Sequence, residues 1–141
     1  MLPERQVTDS LLIAPQAMTN SATVTANIDT LGSSYATIRV ALASEINTNA
    51  VGPTLSLLQS DDTVASNFAT VVANRTAEDI TTAKEVTYGI DLRGKKRYLR
   101  LIVTTATTTN DNVTLASITT LSELEQRPNG TTDAGDVVVY A

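Results

Sequence analysis

Val86-Thr87-Tyr88-Gly89-Ile90-Asp91-Leu92-Arg93-Gly94-Lys95-Lys96-Arg97-Tyr98-Leu99-Arg100-Leu101-Ile102-Val103 is the stretch on which the fold turns. Val86, Tyr88, Ile90 and Leu92 alternate with Glu85, Thr87 and Asp91, and Leu99, Leu101 and Val103 alternate with Tyr98, Arg100 and Ile102. Successive side chains of an extended chain point to opposite faces, so each run reads as a strand with one apolar face. Arg93-Gly94, just ahead of the second run, reads as a hairpin turn in which glycine supplies a positive φ.

The same period recurs on either side. Ala22, Val24, Ala26 and Ile28 alternate with Thr23, Thr25 and Asn27; Ala36, Ile38, Val40 and Leu42 alternate with Thr37, Arg39 and Ala41. Val113, Leu115 and Leu121 share a parity with Ser117 and Thr119, opposite Ala116 and Ile118. Thr8 to Ile13 and Thr54 to Gln59 are expected as further strands. Turn residues separate the runs at Asp29 to Gly32, Asn47 to Pro53, Arg93 to Lys96 and Thr109 to Asn112. Short strands at such spacing predict an all-β fold, an antiparallel sandwich or jelly roll.

Two segments depart from the alternation. Asp62 to Ala73 places Val64, Phe68, Val71 and Val72 at helical spacing, with Asp62 or Thr63 as N-cap, which predicts one short helix over 62–73. Residues 123–141 are polar and turn-rich and end in Val137-Val138-Val139-Tyr140-Ala141. They read as an extended C-terminal arm beside a sandwich domain of residues 1–122. A β-prone apolar end is adhesive and must be covered, either by folding back or by pairing with a neighbour.

Composition agrees with sheet and bounds function. Of the 141 residues, 42% are hydrophobic and 18% charged. About one residue in six is threonine, whose β-branching suits a pleated surface. There is no cysteine, histidine or tryptophan. Thiol chemistry and disulfides are therefore excluded, and the usual side chain that titrates near neutrality is missing. Enzymatic activity is not expected, and no catalytic, cofactor-binding or metal-binding residue is assigned. The net charge of −5 argues against nucleic acid, which needs a dense basic face. No apolar run is long enough for a membrane span, and MLPERQVTDS has no apolar signal core.

The most distinctive local chemistry is charge. Arg93, Lys95, Lys96, Arg97 and Arg100 put half of the ten basic residues into positions 91–100. Two readings are open: an electrostatic contact with an acidic or phosphate-bearing partner, or a solvated tip whose cations keep strand edges apart. Arg97 and Arg100 fall on opposite faces, so one of them is expected near the core or a subunit contact, with Asp91 as an ion partner for either. Asp61-Asp62 and Asp133 with Asp136 lack calcium-loop spacing and read as solvated turns. The sequons at Asn74, Asn112 and Asn129 are what chance gives in so threonine-rich a chain.

SATVTANIDT (21–30), SSYATIRVALAS (33–44), TLSLLQSDD (54–62), IDLRGKKRYLRLIVTT (90–105) and VTLASITTLSE (113–123) follow one another in an order that resembles the small head decoration, or cement, proteins of tailed bacteriophages. The resemblance implies a jelly-roll-like homotrimer on the outside of an icosahedral capsid, assembled in the host cytoplasm, that binds the major capsid protein and bridges capsomers. It makes residues 1–12, the basic turn and the arm (Val137, Val138, Val139, Tyr140) the candidate contacts. A different class of function, a receptor- or carbohydrate-binding sandwich on a virion or cell surface, fits the Thr/Asn-rich surface, though aromatics are only 4% of the chain. A hydrolase built on two carboxylates is the third possibility.

Overall fold

The computed structural model describes residues 7–19, 21–44, 51–78, 83–105, 113–122 and 137–140. Among them nine strands form two sheets: β1 (Val7–Met18), β2 (Thr23–Asp29), β3 (Tyr35–Ser44), β4 (Val51–Ser60), β5 (Ala69–Glu78), β6 (Lys84–Asp91), β7 (Tyr98–Thr104), β8 (Val113–Ser122) and β9 (Val137–Tyr140). One sheet has the order β1-β8-β3-β6-β9 and the other β2-β7-β4-β5. Strands 1 with 8, 2 with 7, 3 with 6 and 4 with 5 are antiparallel pairs. A long hairpin whose tip is the β4–β5 connection, rolled up so that alternate pairs fall in opposite sheets, gives this order. It is a jelly roll, with β9 added at one edge.

Alternation built the sheets as the sequence predicts. Ala36, Ile38, Val40 and Leu42 of β3, Val86, Tyr88 and Ile90 of β6, and Leu99, Leu101 and Val103 of β7 are all buried in one core. Burying each of the larger side chains contributes about 1.5–3 kcal/mol. Ser117 and Thr119 share the inward parity of Leu115 and are buried with it. The Ser117 hydroxyl donates to the Arg39 carbonyl at 2.9 Å.

The two prolines within strands lie where a missing N–H is tolerated. Pro15 is in β1, an edge strand with register breaks between Leu11 and Ile13 and between Ile13 and Gln16. Pro53 falls at a register break of β4 between Val51 and Thr54. The turn expected over Asn47 to Pro53 therefore ends earlier than its composition suggests, because Val51–Pro53 already belong to β4. The turn expected at Thr109 to Asn112 lies outside the described residues.

Two expectations need correction. The helix over 62–73 does not form. Asp61–Thr63 bend, Ala65–Asn67 make one 3-10 turn, and β5 starts at Ala69. The Asp62 carboxylate holds the bend by accepting from the Val64 amide (2.9 Å) and the Asn67 side-chain amide (2.8 Å). Val64 faces solvent while Val71 and Val72 pack against the core, so the helical spacing marks no single buried face.

The Arg93-Gly94 turn is not a hairpin. Gly94 has the expected positive φ of 76°, but β6 and β7 lie in different sheets, so the turn carries the chain across the sandwich. Alternation identifies a strand without naming its partner. The C-terminal run takes the first of the two ways of covering its apolar end, folding back: Val137–Tyr140 pair in parallel with Val86–Gly89 at the edge of the chain's own sheet.

Candidate functional site: the loop end of the sandwich

Three connections meet at one end of the molecule: residues 30–34 between β2 and β3, residues 61–68 between β4 and β5, and residues 92–97 between β6 and β7. Hydrogen bonds tie them together. The Thr30 amide (3.0 Å) and hydroxyl (2.6 Å) both donate to the Arg97 carbonyl. Leu92 N–H donates to the Ser34 carbonyl and Ser34 N–H to the Ser122 carbonyl, each at 3.0 Å. Lys96 N–H reaches across to the Gln59 side-chain oxygen at 3.1 Å. Loops fixed in this way present side chains at small entropic cost on association.

The basic run opens onto this end, but it does not form a bare positive patch. Arg93 pairs with Asp91 at 2.6 Å, Lys96 with Asp61 at 3.3 Å and Arg97 with Asp29 at 2.7 Å. Asp91 therefore serves Arg93, not Arg97 or Arg100 as expected. The reason is local: Asp91 also accepts the Arg93 amide at 3.1 Å, which folds the two residues onto each other. The Arg97 hydrogen bond holds the Asp29 carboxyl below its ordinary pKa, and Asp29 in turn raises that of Arg97. Asp62 is also lowered, chiefly by its hydrogen bond from Asn67. Exposed pairs of this kind are screened by solvent and salt and contribute little to stability. They matter more for balancing charge across the surface than for stability.

Arg100 is the cation that approaches burial, at 9% exposure, and it does so outside the core. It stands on the outer face of the β2-β7-β4-β5 sheet, where its guanidinium lies 3.7 Å from the Phe68 ring centroid. Its Nε donates to the Asn27 side-chain oxygen at 2.7 Å, and one terminal nitrogen donates to the Thr63 carbonyl at 3.4 Å. No carboxylate among the described residues pairs with it. Arg100 thus anchors the β4–β5 connection on the sheet. Arg97 precedes β7 and is exposed, its guanidinium 4.9 Å from the Tyr98 ring centroid.

Two apolar side chains at this end escaped the sequence reading. Leu31 is 71% exposed at the tip of the β2–β3 turn, and Val64 is 54% exposed in the β4–β5 connection. Leu31 beside Gly32 (φ 81°) was the available signal: a large apolar residue in a tight turn has no core to enter. The described end is a rigid, nearly charge-balanced platform with two apolar prominences.

The other candidates sit elsewhere. Val137, Val138, Val139 and Tyr140 are at the far edge of the five-stranded sheet, paired through their backbone with β6. Residues 7–12 belong to β1, at the opposite edge of that sheet. Among the described residues no group of three acidic side chains is placed to hold a metal, and no helix is long and apolar enough to cross a membrane.

Fold and loop end together define a jelly-roll domain with paired charges and two exposed apolar side chains on the loops of one end. No protein-family model and no curated protein matches the chain. Among solved structures it is similar to VP2 of infectious bursal disease virus in a subviral particle, with 11% identity, a TM-score of 0.45, and 85% of this chain covered against 33% of that one. T=1 particles of a VP2 mutant of that virus give 14%, 0.46, 86% and 32%. The chain spans about a third of the length of these VP2 chains.

Proposed function

We propose that the chain is a virion structural protein that sits on the outside of an icosahedral capsid, binds the major capsid protein and stabilises the shell by bridging capsomers. The observation that carries this reading is the loop end, whose connections carry the exposed Leu31 and Val64 together with the ion pairs Arg93–Asp91, Lys96–Asp61 and Arg97–Asp29. Exposed apolar side chains among polar ones are the material of a protein–protein contact. The resemblance of the segment order to that of decoration proteins supports the same reading. Such a role asks for no reaction, only for a rigid body and modest contacts that symmetry multiplies across the shell. Assembly in the host cytoplasm and a homotrimeric form belong to the same proposal.

Sugar binding is the less favoured reading because it needs aromatic platforms. Phe68 is stacked against Arg100, Tyr35 and Tyr88 are buried, and Tyr98 packs beside Arg97.

The test uses shells stripped of the protein and co-sedimentation with the purified chain. Wild-type chain binds, and a Leu31→Ser/Val64→Ser double variant with an unchanged circular dichroism spectrum binds about tenfold or more weakly. No binding by the wild type, or equal binding by the variant, contradicts the proposal.

A further inference from the structure

The outer face of the five-stranded sheet differs from the loop end. Leu11 of β1 and Ile118 of β8 are directly opposite each other in the ladder, and they are 60% and 48% exposed. Cross-strand neighbours of this kind normally gain by excluding water from each other and from what covers them. Here both remain wet. The row continues from Ile118 to Arg39 of β3 and Thr87 of β6. One register step away, Ala116, Ala41 and Glu85 lie side by side, and the small alanines keep the surface flat.

The charges in the middle of this face are already engaged. Arg39 donates to both Glu85 oxygens, at 2.9 and 3.1 Å, and Asp9 accepts from the Thr120 hydroxyl at 2.6 Å. Four strands about 4.8 Å apart and ten residues at about 3.3 Å make a face of about 19 by 33 Å. That is of the order of the ~800 Å² per partner found in stable complexes.

We infer that this face is the docking surface for a second copy of the same chain, related by a two-fold axis near Ile118. The argument for a copy as occupant is self-complementarity. A two-fold axis lying between the two faces, parallel to β8 and passing over Ile118, sets that residue against its own equivalent. It lays Leu11, one strand to one side, over the stem of Arg39 in the other copy, one strand to the opposite side. Asp9, two residues along β1, then falls about 7 Å along the strand direction from Arg39 of the other copy, within reach of a long side chain. Arg39 would stand between its own Glu85 and the Asp9 of its mate, so that this cation meets an acid from each chain.

This contact is independent of capsid binding and of any three-fold ring, and one measurement on the purified full chain separates them. Light scattering is read for the wild type, Ile118→Lys and Leu11→Gln, with Val64→Ser at the loop end as control. The wild type is expected to contain two chains, or six if trimers also form. Both face variants are expected to halve that number, while the control leaves it unchanged. Both substitutions are at exposed positions; should Ile118→Lys lose its sheet spectrum, Leu11→Gln alone decides. A wild-type monomer or trimer, or a mass that neither face variant changes, overturns the inference. A trimer in that result would leave the capsid proposal standing.

Discussion

Thr119 lies on the inward face of β8, with its hydroxyl oxygen buried and without a hydrogen-bond partner among the described residues. A buried polar atom in that state costs about 1–3 kcal/mol, and an isosteric apolar group removes the cost. Thr119→Val is therefore expected to stabilise the fold by about 1 kcal/mol, read as a higher urea midpoint with an unchanged slope. The same residue shows why sequence reading reached only part of the core: its parity placed it inward, but threonine looks like a surface residue by type. Asp29 gives a second residue-scale expectation. Its pKa is lowered in the fold, so its contribution to stability is present above the unfolded value of about 3.9 and is lost as pH falls through the lower folded value. Melting temperature should fall below about pH 4, and less steeply in Asp29→Asn than in wild type. An identical acid profile for the two would contradict the role given to the Asp29–Arg97 pair.

At the scale of elements, strands were legible and their partners were not. Alternation depends on one chain segment and one core, so Ala36 to Leu42, Val86 to Leu92 and Leu99 to Val103 declared themselves. Pairing depends on where the chain returns, and Thr120 bonds to Asp9 from 111 residues away. For that reason Arg93-Gly94 resembled a hairpin although it joins two sheets. The connection at 61–68 misled for another reason: its helical spacing is real, but Phe68 is drawn out to Arg100 and Asp62 bonds locally. Arg100 holds that element in place. Arg100→Ala removes a desolvated cation–π contact and strands the Asn27 side-chain oxygen, and should cost about 2–4 kcal/mol in denaturation experiments. It should also speed proteolysis within residues 61–68, relative to cleavage elsewhere. A loss below ~0.5 kcal/mol would mean that the loop is held by Asp62 alone.

For the whole molecule, the rolled hairpin explains why a chain with one phenylalanine and no tryptophan can still be rigid. Two sheets close on each other, and every inward position of the central strands is used. It also explains where partners can be met. Such a body meets partners with the loops at its ends and the outer faces of its sheets, and among the described residues the loop end with Leu31 and Val64 and the Leu11–Ile118 face carry exposed apolar side chains. The loop end was half legible: the basic cluster announced itself, whereas its neutralisation by Asp29, Asp61 and Asp91 needed three dimensions. The measurement that tests the central claim most directly is the disruption temperature of capsid shells stripped of the protein and then saturated with it. The account predicts that added wild-type chain raises that temperature by several degrees and that the Leu31→Ser/Val64→Ser variant raises it less. A disruption temperature unchanged at saturating wild-type chain would contradict it.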